Sequence, residues 1–316
     1  MSDFLFSLNV VLPIFLVMLL GTVLKNIGML DEHFVKVANK FNYNITLPFM
    51  VFRDLSRVDI RAEFDIKFVL FCAISTTICF WLVWAGAKLF LKEKTMRGAF
   101  VQASFRSSAA VMGLAFINNI YGPSAMGPMM IIGAVPLYNI FSVLVLTFEA
   151  NDENAEKDLG KIRKACINIA KNPIIISIVL GVVVALIGID FPEVVNKTVN
   201  SVSSLATPLA LIGLGAGFEG RKALAKIKPT VAASMIKLVI QPLVFLPVAI
   251  WMGFSGEKII AILIMLAAPT TPSCYIMAQN MKNDGVLTAS IVVMTTFLAA
   301  FTLTAWIYIL KMMAII

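Results

Sequence analysis

The sequence predicts an all-α polytopic membrane protein of about ten transmembrane helices, arranged as two inverted five-helix repeats with helices four and nine broken. Three observations predict it. The 316 residues are 59% hydrophobic and only 14% charged, where a soluble domain averages roughly 45–50% apolar and about 25% charged. The apolar residues fall in ten stretches near the length that crosses a bilayer. Prolines and glycines then recur between the two halves at a fixed offset.

The apolar segments are, in order, 4–24, 34–52, 68–91, 98–120, 125–148, 173–189, 194–218, 230–252, 259–280 and 285–312. Charges cluster between them, because a charge at bilayer depth is expensive. Segments two and seven are the most polar. The first reads as a retained helix, since Met1-Ser2-Asp3 is no basic leader and no small-residue cleavage site follows. Residues 151–171 form the one long polar run. They divide the chain into a first repeat (1–150), a cytoplasmic inter-repeat loop (151–171) and a second, inverted repeat (172–316).

At an offset of 160, Pro13 falls on Pro173, Gly21 on Gly181, Gly28 on Gly188 and Pro48 on Pro208. At an offset of 163, Gly122 falls on Gly285, and the polar run Arg106-Ser107-Ser108 falls on Pro269-Thr270-Thr271. A repeat of five spans is odd, so its second copy enters the membrane upside down. One set of loops holds 17 of the 26 Lys and Arg residues and the other holds 7; Arg106 and Lys237 lie inside spans. The excess places the central loop in the cytoplasm and both termini outside, in an integral inner or plasma membrane protein.

Several function classes are excluded. The net charge of +8 is spread along loops and forms no basic face, so nucleic acid is not a partner. Cys72, Cys79, Cys166 and Cys274 have no metal-ligand spacing, and His33 is the single histidine. No metal, cofactor or enzymatic chemistry is therefore expected. An intramembrane protease would need an Asp pair or a Ser/His set at depth, and the spans contain neither.

The candidate chemistry lies at polar breaks. In segment nine, Pro269 and Pro272 flank Thr270 and Thr271, with Ser273 beyond. Each proline removes a backbone donor and clashes with the preceding turn. Lipid cannot satisfy the groups released, so such a break lines a polar cavity or packs in protein. A broken helix offers a partly positive N-terminal end to an anion and carbonyls to a cation. Two breaks at corresponding positions of two repeats point to a transport site. Arg106, Ser107 and Ser108 form the matching break in segment four. Arg106 either binds a carboxylate through its planar fork or snorkels to the cytoplasmic side. Asn44 and Thr46 in segment two, Thr207 in segment seven, and Tyr138 and Asn139 after Pro136 in segment five are further candidates. Lys237 and Gln241 are weaker ones.

Thr46–Phe52, Ser104–Ala115, Val135–Ile140, Lys171–Ile174, Ala206–Ala216 and Ala268–Pro272 together make the chain resemble the auxin efflux carrier family, of the superfamily that holds the bile-acid sodium symporters and the arsenite and riboflavin carriers. The resemblance covers nearly the whole chain. It implies a scaffold domain of helices one, two, six and seven, and a transport domain of helices three to five and eight to ten. Helices four and nine would cross at the site. The family motif usually carries Asn where this chain has Ser108, so indole acetate is not implied. Family members of this length look like carriers of small mono- or dicarboxylates such as malate or malonate, working by elevator-like alternating access. A sodium-coupled symporter of bile-acid type and a channel remain the alternatives. Coupling to H+ or Na+ and assembly as a homodimer stay open.

Overall fold

A computed structural model describes residues 2–57, 65–109, 117, 120–121, 126–150 and 166–316, the side chains of residues 2–8, 10 and 11 excepted. The expected loop at 151–171 falls outside the described residues as far as residue 165, as does most of segment four beyond Ala109. Among the described residues all regular structure is helical.

Helix α1 (Ser2–Asn26) is followed by Gly28 in the left-handed region (φ 78°). Helix α2 (Glu32–Phe41) starts on the Asp31 carboxylate, which accepts the Phe34 amide at 2.7 Å. A π-helical turn, Asn42–Thr46, leads into α3 (Leu47–Ser56). It sits one turn before Pro48, whose missing N–H and ring clash forbid a regular ladder there. Helices α4 (Ile66–Phe90), α5 (Lys94–Phe105) and α6 (Met126–Phe148) complete the first half. In the second half, α7 (Pro173–Ile187) is capped by Asn172 and closes on Gly188 (φ 73°). Helices α8 (Glu193–Ser204) and α9 (Ala206–Gly217) together make one apolar span interrupted before Pro208. After the short α10 (Gly220–Ala225), α11 (Ile227–Met235) and α12 (Gln241–Trp251) are joined by a second π-turn, again just before a proline, Pro242. The last helices are α13 (Glu257–Ala267), α14 (Ser273–Asn280) and α15 (Gly285–Met312).

Among the described residues five apolar stretches are long enough to cross a membrane, and Leu12–Asn26 and Pro173–Ile187 are shorter apolar helices. Their outer faces are apolar: Leu16, Leu19 and Leu20 on α1 and Val179 and Leu180 on α7 are all exposed. In water such a surface would be a liability; in lipid it is the solvent-facing side. Helix α13 is the opposite case. Ile259 through Ala268 are all buried, as expected of a helix apolar on every face.

The helix contacts come in exchanged pairs. Helix α1 lies along α9, and α7 lies along α3. Gly21 brings α1 so close to α9 that a side chain there would strike the Ile212 carbonyl. Gly181 brings α7 to within 3.1 Å of the Phe52 carbonyl, measured from where its Cβ would stand. Gly21 and Gly181 are 160 positions apart, and so are Phe52 and Ile212. One contact therefore occurs twice, with partners swapped between halves.

The ends sort by loop. At one end Lys226 pairs with Asp284, the Asp284 amide reaches Thr95 O (3.3 Å), Asn283 reaches Leu146 O (2.9 Å), and Trp84 Nε1 donates to Glu149 (2.8 Å). At the other, Lys258 pairs with Asp65 (2.5 Å) and Lys67 donates to Met252 O (2.6 Å). The two groups match the two sets of loops separated by the charge count. The Lys258 ammonium, with the Phe68 amide, holds the Asp65 carboxyl below its ordinary value. This link is thus fully present above the ordinary carboxylate range and is lost as pH falls through the lowered value.

Substitution at Gly21 tests the close packing. Gly21→Val should cost about 1–3 kcal/mol by overpacking and lower the thermal midpoint in detergent. Gly86→Ala, with nothing within 4 Å of the added methyl, should leave the midpoint unchanged or raise it. Equal midpoints for both variants would show that α1 and α9 are not in backbone contact.

Candidate functional site

Helix α13 would run on into α14 but for its prolines. Pro269 has no N–H for Met265 O, and Pro272 has none for Ala268 O. The chain turns extended at Ala268 (ψ 149°) and regains helix at Ser273. Side chains from four other elements collect the released groups. Met265 O accepts the Tyr138 hydroxyl at 3.0 Å, and Leu266 O accepts Lys237 Nζ at 2.7 Å. Ser107 Oγ donates to Ile264 O (3.3 Å) or Ala268 O (3.4 Å). The Thr270 amide finds Thr295 Oγ1 at 3.1 Å.

Helix α5 breaks without any proline. Arg106 is extended (φ −77°, ψ 134°), and Ala103 O and Ser104 O lose their partners. Thr270 Oγ1 takes Ala103 O at 2.6 Å, and Gln241 Nε2 takes Ser104 O at 2.6 Å. The Ser108 amide crosses to Pro269 O at 2.9 Å. Ser107 and Thr270 stand 163 positions apart and do the same task, each capping the last turn of the other's helix. The two breaks thus meet and satisfy each other.

Beside the crossing is a small cavity of about 40 Å³. Helix α3 contributes Met50, Val51 and Asp54 to its wall; the break of α5 contributes Arg106, Ser107 and Ser108; α6 contributes Val135, Tyr138 and Asn139; the second break contributes Thr271 and Ser273. Arg106 is 5% exposed. Its Nη1 lies 2.7 Å from the Met277 thioether, a weak acceptor, and it enters no ion pair among the described residues. It does not reach the loops, so it is not snorkelling.

The expected residues divide by position. Arg106, Ser107, Ser108, Tyr138, Asn139, Thr271 and Ser273 share the cavity. Pro269 and Thr270 stand behind its wall in the crossing, and Pro272 caps α14. Thr46 is buried and donates to Asn42 Oδ1 (2.6 Å), which orients Asn42 Nδ2 onto Ala206 O (2.9 Å). Thr207 faces Met50 Sδ at 3.9 Å. Asn44 is exposed and bonds its own helix at Lys40 O (2.8 Å). Sequence reasoning missed Asp54. It sits on the cavity wall with its carboxylate held by Arg53 at 2.7 Å, and Arg53 also reaches Ser203 (3.0 Å). A carboxylate in the same segment as the Thr46–Phe52 motif was the available signal. Among the described residues no group of His, Cys, Asp and Glu could hold a metal ion. Cys72, Cys79 and Cys274 are buried, and Cys166 is exposed.

Residues 6–307 match the family model described as "Membrane transport protein". The chain is 24% identical to "Uncharacterized transporter YfdV" of Escherichia coli K12, over 98% of this chain and 99% of that protein. It is 22% identical to an "Uncharacterized transporter" of Methanothermobacter thermautotrophicus, over 97% and 99%. It is 23% identical to a Rhizobium meliloti protein named "Putative malonate transporter", over 96% and 95%. With its apolar helices and its whole-length match, this chain is an integral membrane protein and belongs to the membrane transport protein family, that of the auxin efflux carriers.

Proposed function

We propose that this protein is a secondary active transporter that moves a small organic anion, a mono- or dicarboxylate such as malate or malonate, by elevator-like alternating access. The observation that carries the reading is the pair of buried cations at the crossing. Arg106 faces the cavity, and Lys237 lies behind it with 0% exposure. Neither has a carboxylate partner among the described ion pairs. Buried cations without counterions make a site that an anion completes. The N-terminal end of α14 adds a partial positive charge beside Ser273. The relative named for malonate supports the substrate class.

The repeat reading rests on the exchanged contacts of Gly21 and Gly181 and on the reciprocal capping of the two breaks. In this reading α1–α3 and α7–α9 form the scaffold, and α4–α6 with α11–α15 form the moving body. A separate apolar cluster joins the two bodies: Met18, Leu47 and Leu214 on one side, Tyr275, Ile276 and Val292 on the other. A seam of this kind carries little directional bonding, which suits sliding. The cavity has room for roughly three waters, so it must widen to admit a dicarboxylate.

Purified protein in liposomes should exchange labelled malonate or malate for the unlabelled anion. Absence of exchange over a panel of mono- and dicarboxylates would overturn the reading. Arg106→Lys keeps the charge and loses the bidentate fork, so anion affinity should fall about tenfold or more, at a cost of about 1.4 kcal/mol or above. Wild-type affinity in that variant would remove Arg106 from the site. For topology, a membrane-impermeant thiol reagent should reach the exposed Cys166, at the edge of the central loop, only in inverted vesicles. Its modification in intact cells would reverse the orientation.

A further inference from the structure

The cavity wall has two sides. Donors stand at the breaks: the Arg106 guanidinium and the hydroxyls of Ser108, Thr271 and Ser273. The side built from α3 and α6 offers acceptors. Asp54 takes two bonds from Arg53, Nε at 2.9 Å and Nη2 at 2.7 Å, and both fall on Oδ1. Its Oδ2 accepts no hydrogen bond among the described residues. Asn139, on the same wall, is 1% exposed. Its Nδ2 donates to Val135 O (3.0 Å), while its Oδ1 has no partner among the described residues. A buried amide oxygen without a donor is costly.

An ionised dicarboxylate carries acceptors alone. Bound to Arg106, it would satisfy the donors and leave these two oxygens unmet. We propose that Asp54 Oδ2 and Asn139 Oδ1 form a subsite for a hydrogen-bond donor on the substrate, and that the substrate class is the 2-hydroxy acids. The carboxylate goes to Arg106 and the hydroxyl to this wall. The proposal rests on the transporter reading and narrows it, favouring malate over malonate. A cavity of about 40 Å³ keeps the donor close to the carboxylate, as on the adjacent carbon. Charge selects a hydroxyl over an ammonium. Arg53 neutralises Asp54 and is itself anchored on Ser203 at 3.0 Å, so the acceptor wall carries no net negative charge. Arg106 opposite has only the Met277 thioether. A hydroxyl donates without adding to that positive charge, and an ammonium adds to it.

The test uses full-length protein in liposomes and exchange of labelled malate. Unlabelled competitors come in pairs that differ by one hydroxyl: malate and succinate, tartronate and malonate, lactate and propionate. The hydroxylated member should compete about tenfold better or more, because a site built to bond a hydroxyl rejects the analogue lacking it. Equal competition within the pairs overturns the proposal, and so does aspartate competing better than malate. Asn139→Leu and, separately, Asp54→Leu should each shrink the malate-to-succinate preference by about threefold or more. A ratio taken within one variant does not depend on how much of it folds, and an unchanged ratio in either overturns the subsite. Should labelled malonate exchange where malate does not, the transporter reading stands and this proposal falls. Should no anion exchange at all, the transporter reading fails and the thermal midpoint decides the subsite. Malate should then raise the midpoint further than succinate; equal shifts, or none, overturn it.

Discussion

A backbone carbonyl at bilayer depth has no water to turn to, and each one left unpaired costs several kcal/mol. Two helices of this protein nevertheless stop at mid-span, releasing carbonyls at Ala103, Ser104, Met265, Leu266 and Ala268. The structure depends on how those groups are met. Thr270 serves the first helix and Ser107 the second; Gln241, Lys237 and Tyr138 arrive from α11–α12 and α6 to take the rest. A set of buried polar side chains is thereby gathered at one point, and the cavity lies against it. The positions of α6, α11 and α12 follow from the need to deliver a hydroxyl, an ammonium and an amide to that point.

How much of this was legible in the sequence depends on where the cause of each feature lies. The break at Pro269–Pro272 is local: a proline without N–H announces it. The break at Arg106–Ser108 has no such signature. It is held open by Pro269 O and Thr270, some 160 residues away, and the sequence showed it only as a polar run, matched by the break in the other half. The π-turns before Pro48 and Pro242 follow from proline too, but their effect on side-chain direction does not. Asn44 reads as a polar group within a span and turns outward to its own helix, while Asn42, two residues earlier, points inward to Ala206 O. Asp54 was hidden beside Arg53, since adjacent opposite charges read as a surface pair. Lys237 stood out in the sequence, but two of the three oxygens around it, Met265 O and Leu266 O, come from α13 and could not be read from its neighbours.

The two bodies of the proposed carrier are bonded differently from the seam between them. Within one body, α1 and α9 are locked by backbone contact at Gly21, and α3 and α7 by contact at Gly181. Such contacts tolerate no sliding, because a shift of one residue would put a side chain where only hydrogen fits. Across the seam, Leu47, Leu214, Ile276 and Val292 present smooth apolar surfaces, with Asn280 donating to Asn39 O at 3.2 Å as a directional bond.

The reciprocal capping of the broken helices also constrains how the protein is made. Ala103 O and Ser104 O belong to the first half of the chain, and their partners Thr270 and Gln241 lie 167 and 137 residues further on. A ribosome adds about 5–20 residues per second, so the first half waits in the bilayer for roughly 10–30 s before its carbonyls are met. During that interval it must hold α5 in some temporary arrangement, either extended as a continuous helix or sheltered by the insertion machinery. The broken end of α5 thus gains its final partners only when the second half arrives.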